Sequence, residues 1–112
     1  MAEIVFAIPI ARGKEDADRE TRLEMAGARR AEYEAALKEA GVTRQAVWHQ
    51  RLPDGGTLVI LYVEGSDPEA HQRFIHGDSD IARWFVQRMQ EVHGRDVSVP
   101  PLPVEKILDF RV

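Results

Sequence analysis

Histidine is the side chain of this sequence best suited to proton transfer near neutral pH, and three of its four histidines fall within residues 71–96. His71 and His76 are five residues apart, a spacing that rotates them by about 140° around a helix. They therefore do not share a helix face, and we do not expect them to bind one metal ion together. His93 stands before Gly94 at the predicted end of a helix, where the helix dipole favours a charged imidazole. It is also a candidate ligand-binding residue at the mouth of a cleft.

The Gly-Asp-Ser-Asp break at residues 77–80 admits two interpretations. The oxygen atoms of Asp78 and Asp80, beside His76, are ligands that a divalent cation accepts. The same residues suit a helix start, because Asp78 or Ser79 can cap the first amide groups and Asp80 complements the dipole. We favour capping, and we predict no metal site and no cofactor.

A β-hairpin is predicted around residues 53–56, because an Asp-Gly pair between two apolar runs is a strong turn signal. A turn centred on Asp54 and Gly55 pairs Leu52 with Thr57. This register places on one face of the hairpin Trp48, Gln50, Val59 and Leu61. It places on the other face Val47, His49, Arg51, Leu58, Ile60 and Tyr62.

The two faces of the hairpin give two alternative sites. If the face of His49 looks toward the helices, His49, Tyr62 and Arg30 would supply a general base, a phenolic donor and an anion clamp. If that face looks away, Trp48 and Gln50 line the cleft instead. The strand alternation does not choose between them. We favour Trp48 and Gln50, because an indole wall and an amide suit a small planar ligand.

Three further candidates lie on predicted helices. Trp84 belongs to the apolar face of the last helix, so it either packs in the core or forms a pocket wall. Arg30 and Tyr33 fall along the bulkier apolar stripe of a long helix, which comprises Leu23, Ala26, Tyr33, Leu37 and Ala40. Arg30 either extends its charge outward or faces a cavity. The predicted ligand-binding residues are Trp48, Gln50, Arg30, Tyr33, Trp84 and His93, and the catalytic candidates are His49, Arg30 and Tyr62.

These residues are carried by six elements in the order strand, helix, strand, strand, helix, strand. The predicted spans are a strand at 3–10, a helix at 13–40, hairpin strands at 44–52 and 57–64, a helical region from Pro68 to His93 broken at Gly77, and a strand at 104–112. We expect one α+β domain over residues 1–112, with a ferredoxin-like βαββαβ order. Its four-stranded antiparallel sheet would carry the helices on one face. Because the strands are apolar on both sides, we expect a second copy to cover the other face in a homodimer.

The bulk composition narrows the possible partners. The chain has 15 basic and 19 acidic residues and a net charge of −4, and the two signs are interleaved. Nucleic acid binding calls for a one-sided basic patch, so we expect no nucleic acid partner. The longest apolar run, residues 4–11, is too short to span a bilayer, and we expect no membrane partner. The absence of cysteine excludes disulfides and thiolate catalysis and fits a cytoplasmic location.

The chain resembles the dimeric α+β-barrel superfamily, whose members pair two ferredoxin-like sheets face to face. Within it, the runs SDIARWF and EVHGRD, and residues 29–32 ahead of Gly41, resemble a small bacterial family of uncharacterised domains. The resemblance implies this fold and a homodimer. Better-known members of the superfamily are cofactor-free monooxygenases of polyketide pathways, haem-degrading enzymes, and small isomerases or cyclases. The monooxygenases and haem degraders resemble one another in an asparagine on the first strand, which this chain lacks, so no catalytic residue is transferred from them.

Three functions are consistent with the sequence. The first is a small-molecule enzyme of the barrel type that acts on an aromatic or polyketide-like compound without a metal. The second is a ligand-binding domain with the same cleft and no turnover. The third is a structural homodimer whose cleft is filled by its own side chains. Fold analogy alone favours the first.

Overall fold

The computed structural model describes residues 1–99 and 101–112. It has an α+β architecture with a three-stranded antiparallel sheet and four helices. The strands are β1 (Ala2–Pro9), β2 (Val42–Arg51) and β3 (Thr57–Gly65), in the spatial order β1-β3-β2. The helices are α1 (Glu15–Ala26), α2 (Arg30–Ala40), α3 (Ala70–Ile75) and α4 (Asp80–His93). The α+β class is confirmed.

One face of the sheet is covered by the helices. Along the central strand β3, alternate residues are buried, beginning with Thr57, Val59 and Leu61. Their partners on β1 point the same way, because Phe6 lies opposite Leu61 and Ile8 lies opposite Val59. The core therefore lies between this face and the helices.

The predicted long helix is interrupted after α1. Gly27 ends α1, and α2 starts at Arg30. Glycine is a poor helix former, and the break allows the two helices to bury different stripes. In α2 the predicted bulky stripe is correct, since Tyr33 is buried; in α1 it is wrong, since Leu23 is 73% exposed.

The hairpin register differs by one residue from the prediction. Arg51 pairs with Thr57, and His49 pairs with Val59. The loop is one residue shorter than expected, because Leu52 donates its N–H to the carbonyl of Gly56 at 2.8 Å and Gly55 adopts a φ of 87°. Such a three-residue loop ends in a left-handed residue. A one-residue slip moves every side chain of a strand to the opposite face, so His49 now faces the helices.

The boundaries of α4 are confirmed. The Ser79 side chain accepts a hydrogen bond from the backbone N–H of Ala82, and Gly94 ends the helix in the left-handed conformation with a φ of 63°. The apolar face of α4 meets α2 and α3 through an aromatic cluster formed by Tyr33, Phe74 and Phe85. This cluster fixes α4 over the sheet.

The expected fourth strand is not formed by this chain. Residues 101–112 carry no regular secondary structure. One backbone hydrogen bond, from Val104 N–H to the Val5 carbonyl at 2.7 Å, places the start of this segment beside the outer edge of β1. The rest is exposed, including Ile107 and Phe110. Alternating apolar residues indicate a segment with two faces, but they do not supply the partner that a strand requires.

Candidate functional site

A charged network is buried between α1 and the sheet. Asp18 of α1 is fully buried, with 0% exposure. Its Oδ2 lies 2.6 Å from Nε2 of His49 on β2, and its Oδ1 lies 3.3 Å from Nε of Arg22, one turn further along α1. The helix thus supplies a carboxylate and a guanidinium at i and i+4 on one face, and the edge strand supplies the imidazole between them and solvent.

Burial of these charged groups costs free energy, which a purely structural contact explains poorly. A buried carboxylate needs hydrogen bonds and a counter-charge to offset its lost hydration. Among the described residues, Asp18 Oδ1 and Arg22 Nε have no hydrogen-bond partner, although they face each other as an ion pair. An incompletely satisfied charged cluster beside a cleft is a candidate functional site.

The hydrogen bond with Asp18 determines what His49 can do. When neutral His49 carries its proton on Nε2 and donates it to Asp18, the other ring nitrogen, Nδ1, has a free lone pair. A buried carboxylate in this position also stabilises the imidazolium that forms when Nδ1 accepts a proton. His49 lines an open cleft of about 420 Å³, together with Arg19, Arg22 and Val47. The arrangement is that of a general base beside two guanidinium groups.

Arg22 reaches from the cleft into the protein interior. Its guanidinium carbon lies 5.8 Å from the centre of the Phe85 ring, and its Nη2 donates to Met89 Sδ at 3.4 Å. A thioether is a weak acceptor, so the hydrogen bond of Nη2 is weak, whereas Nε faces the Asp18 carboxylate. Arg22 also lines a cavity of about 50 Å³ with His71 and His93.

His71 and His93 flank this cavity as neutral side chains. Burial lowers the pKa of His71 to about 4, and the positive charge of Arg22 acts in the same direction. Its ring centre is 5.6 Å from that of Phe6, and within residues 1–99 and 101–112 its Nδ1 has no hydrogen-bond partner.

His93 serves a structural contact in addition to lining the cavity. Its Nδ1 lies 2.8 Å from the Pro9 carbonyl and ties α4 to the end of β1. Burial lowers the pKa of His93, although the bond to Pro9 opposes this. The prediction that the helix dipole holds His93 in its charged form is therefore wrong, because burial has the larger effect on its pKa.

The predicted trio of His49, Tyr62 and Arg30 is not brought together. Tyr62 lies on the helix-free face of the sheet and donates to Glu3 at 2.9 Å. Arg30 is exposed and pairs with Glu34 on its own helix at 2.8 Å. Only His49 reaches the charged network.

The preferred alternative, with Trp48 and Gln50 in the cleft, is also wrong. Both residues lie on the helix-free face because the register differs by one, and Trp48 is 54% exposed. Tyr33 is buried, its hydroxyl donates to the Gln45 side chain, and burial raises the pKa of Tyr33. It is part of the core rather than the cleft.

Trp84 is partly buried at the edge of the core. Two guanidinium groups lie near its ring, with the Arg29 carbon 4.6 Å and the Arg88 carbon 5.6 Å from the ring centre. These are cation–π contacts, in which the positive side chains both pack against the ring and are attracted to its π electrons. The predicted core role is therefore correct only in part, because Trp84 is partly buried against the core.

Sequence reasoning missed Asp18 and Arg22. The available signal was their i, i+4 spacing on the face that also carries Thr21 and Met25, both buried. It was obscured because α1 contains five further charged side chains at similar spacings, at positions 15, 16, 19, 20 and 24, and Lys14 precedes the helix. A charged residue is predicted to be exposed to solvent unless the sequence indicates a partner for it. The partner of Asp18 lies on a different element, β2.

Comparisons with protein-family models, curated proteins and solved structures each gave no match. Among the described residues, no group of three or more His, Asp or Glu side chains is arranged to hold a metal ion. In the same part of the chain, no helix has both the length and the apolar character to cross a membrane.

Proposed function

We propose that this protein is a small-molecule enzyme that catalyses proton transfer on a carbonyl compound, with His49 as the general base. The observation that carries the proposal is the 2.6 Å contact between His49 and the fully buried Asp18, beside Arg22. The substrate class is an aromatic or polyketide-like carbonyl acid small enough to lie in the cleft between α1 and β2. The barrel resemblance supports the same class of activity by analogy.

The proposed step begins when the substrate places an acidic C–H bond next to the carbonyl group and near His49 Nδ1. The C–H bond breaks, its proton moves to Nδ1, and the electron pair moves to the carbonyl oxygen to form an enolate. Arg22 stabilises that oxygen, and Asp18 stabilises the imidazolium. Return of a proton to the same carbon regenerates the ketone with solvent exchange, and its return to oxygen gives the enol isomer; neither outcome involves net oxidation. Arg19 provides a second positive charge for a substrate carboxylate at the cleft.

Phenylpyruvate is a suitable probe because it carries an aromatic ring, a carboxylate and an acidic C–H beside a ketone. Proton abstraction in D₂O is measured as deuterium incorporation at the benzylic carbon by proton NMR. We expect the wild-type protein to accelerate exchange above the buffer rate. We expect His49→Gln, whose amide can still donate to Asp18, to lose about 10²-fold or more of that acceleration.

His76→Gln is the matched control, because His76 is an exposed histidine outside the cleft. We expect it to retain the wild-type rate. Equal exchange by wild type and His49→Gln would contradict the assignment of the base. Binding of phenylpyruvate with no accelerated exchange would contradict catalysis and favour a binding domain.

We further propose a homodimer of the dimeric α+β-barrel type, with the helix-free sheet faces in contact and a fourth strand completed on dimerisation. Two observations support it. The helix-free face exposes Trp48, and the segment after Val104 exposes apolar side chains beside the outer edge of β1. Exposed apolar surface of this kind is typical of protein contacts. Native mass spectrometry is expected to show a dimer that Trp48→Glu weakens; a wild-type monomer at micromolar concentration would contradict it.

A further inference from the structure

The cavity on the inner side of Arg22 is separate from the open cleft that holds His49. It lies under α3 and α4 and is lined by Arg22, His71 and His93 together with apolar side chains from the sheet and α4. The apolar wall includes Phe6 and Met89. Five nitrogen-bearing side chains thus line one small, largely apolar space that the proposed proton transfer does not use, since Gln72 and Arg95 join the other three.

At this cavity one polar group lacks a partner and another has only a weak acceptor. Within the described residues, buried Nδ1 of His71 makes no hydrogen bond, and His71 is only 7% exposed. The Nη2 of Arg22 donates to the thioether of Met89, a weak acceptor, whereas its Nε faces Asp18 as an ion pair. A buried polar atom without a partner is costly. Arg22 can donate to the oxygens of an anion, and so can His71 when its Nδ1 carries a proton.

The volume of this cavity, which is partly open to solvent, favours a small ligand. One water molecule needs about 10–15 Å³ of cavity volume. A cavity of about 50 Å³ therefore accommodates a ligand of roughly three to five non-hydrogen atoms. Formate and acetate fall within that range, whereas benzoate does not. The apolar lining at Phe6 and Met89 suits a methyl group better than it suits a fully hydrated anion such as phosphate.

We propose that this cavity binds a small monocarboxylate of the size of acetate, with its oxygens held by Arg22 and His71 and its methyl group against Phe6 and Met89. This site goes beyond the proposed function, although it shares Arg22 with it. Asp18 already balances the charge of Arg22, so the added negative charge favours protonation of His71. Binding is therefore accompanied by proton uptake and becomes tighter as the pH falls.

The charged groups around His71 are consistent with this linkage. From α1 it faces Arg22, whose charge opposes protonation, with Asp18 behind it. From α4 it faces His93, and from the segment after α4 Arg95 also lines the cavity. A bound carboxylate is the group that would offset Arg22 and allow His71 to accept a proton.

Isothermal titration with sodium formate, acetate, propionate and benzoate tests the size limit on the wild-type protein. We expect acetate to bind at least about tenfold more tightly than benzoate. Titration of acetate in two buffers of different ionisation enthalpy measures proton uptake, and we expect uptake at about pH 6. Equal affinity for acetate and benzoate, or no proton uptake, would overturn the proposal without requiring any variant.

His71→Phe tests the residue itself, because a phenyl ring keeps the packing against Phe6 and removes both nitrogens. We expect about 10- to 100-fold weaker acetate binding and no proton uptake, as for the loss of a charge-assisted hydrogen bond. His76→Gln is expected to bind acetate as the wild type does. Phenylpyruvate exchange measured on the same samples separates the two proposals. Lost acetate binding with retained exchange supports two separate sites. Unchanged acetate binding by His71→Phe overturns the proposed carboxylate site.

Discussion

The substitution Asp18→Asn tests whether the buried network is held by charge. The Asn side chain has nearly the same size and can still accept a hydrogen bond from His49, so the main loss is the negative charge opposite Arg22. Removing one member of a buried ion pair costs about 3–5 kcal/mol. The Arg22 side chain is 19% exposed and can recover part of its hydration, so we expect a smaller loss of about 2–3 kcal/mol in the free energy of unfolding.

This loss is measurable by urea denaturation followed by circular dichroism. In thermal denaturation the melting temperature should be about 8–12 °C lower. The m value should not change, because the folded state buries the same surface. Asp16→Asn on the same helix is the matched control: Asp16 is 90% exposed and pairs with Arg19 at the surface, so we expect no measurable change. A stability for Asp18→Asn within about 0.5 kcal/mol of the wild type would refute the reasoning, because the buried charge would then contribute nothing.

Two further predictions concern stability. Trp84→Ala should cost about 2 kcal/mol by urea denaturation, less than the 3–5 kcal/mol of a fully buried aromatic, because the ring is only partly buried and also contacts Arg29 and Arg88. A loss above about 4 kcal/mol would show that the indole contributes as a fully buried core residue. His71 should make the protein less stable in acid, because its pKa of about 4 in the folded protein lies below its pKa in the unfolded chain. The unfolded chain therefore binds one more proton at low pH. The free energy of unfolding falls by up to about 3 kcal/mol between about pH 6.5 and 4. Denaturation of His71→Phe across that range should show a weaker pH dependence than the wild type, and parallel curves would contradict a buried neutral His71.

Some elements were predictable from the sequence because their signals are local. The ends of α4 follow from Ser79 and Gly94, whose backbone roles depend on few neighbours. The hairpin was predictable for the same reason. Its register was not, because a loop of three or four residues both fit the Asp-Gly signal, and only Gly55 in the left-handed conformation distinguishes them.

The site was not predictable because it depends on contacts between distant elements. Asp18 and His49 are 31 positions apart and meet only when α1 packs across β2. The helix break at Gly27 determines which face of α1 meets the sheet, so the stripe through Leu23 was a reasonable prediction that the tertiary structure overrides. The expectation of a general base with an anion clamp was chemically sound, but its partners are Asp18 and Arg22 rather than Tyr62 and Arg30.

Deuterium exchange of phenylpyruvate by the wild type and by His49→Gln tests the central claim most directly. If His49 is the base that Asp18 orients, the wild type accelerates exchange and His49→Gln loses about 10²-fold or more of that acceleration, while His76→Gln does not. Acceleration that is equal in all three proteins, or absent in the wild type, would contradict the account.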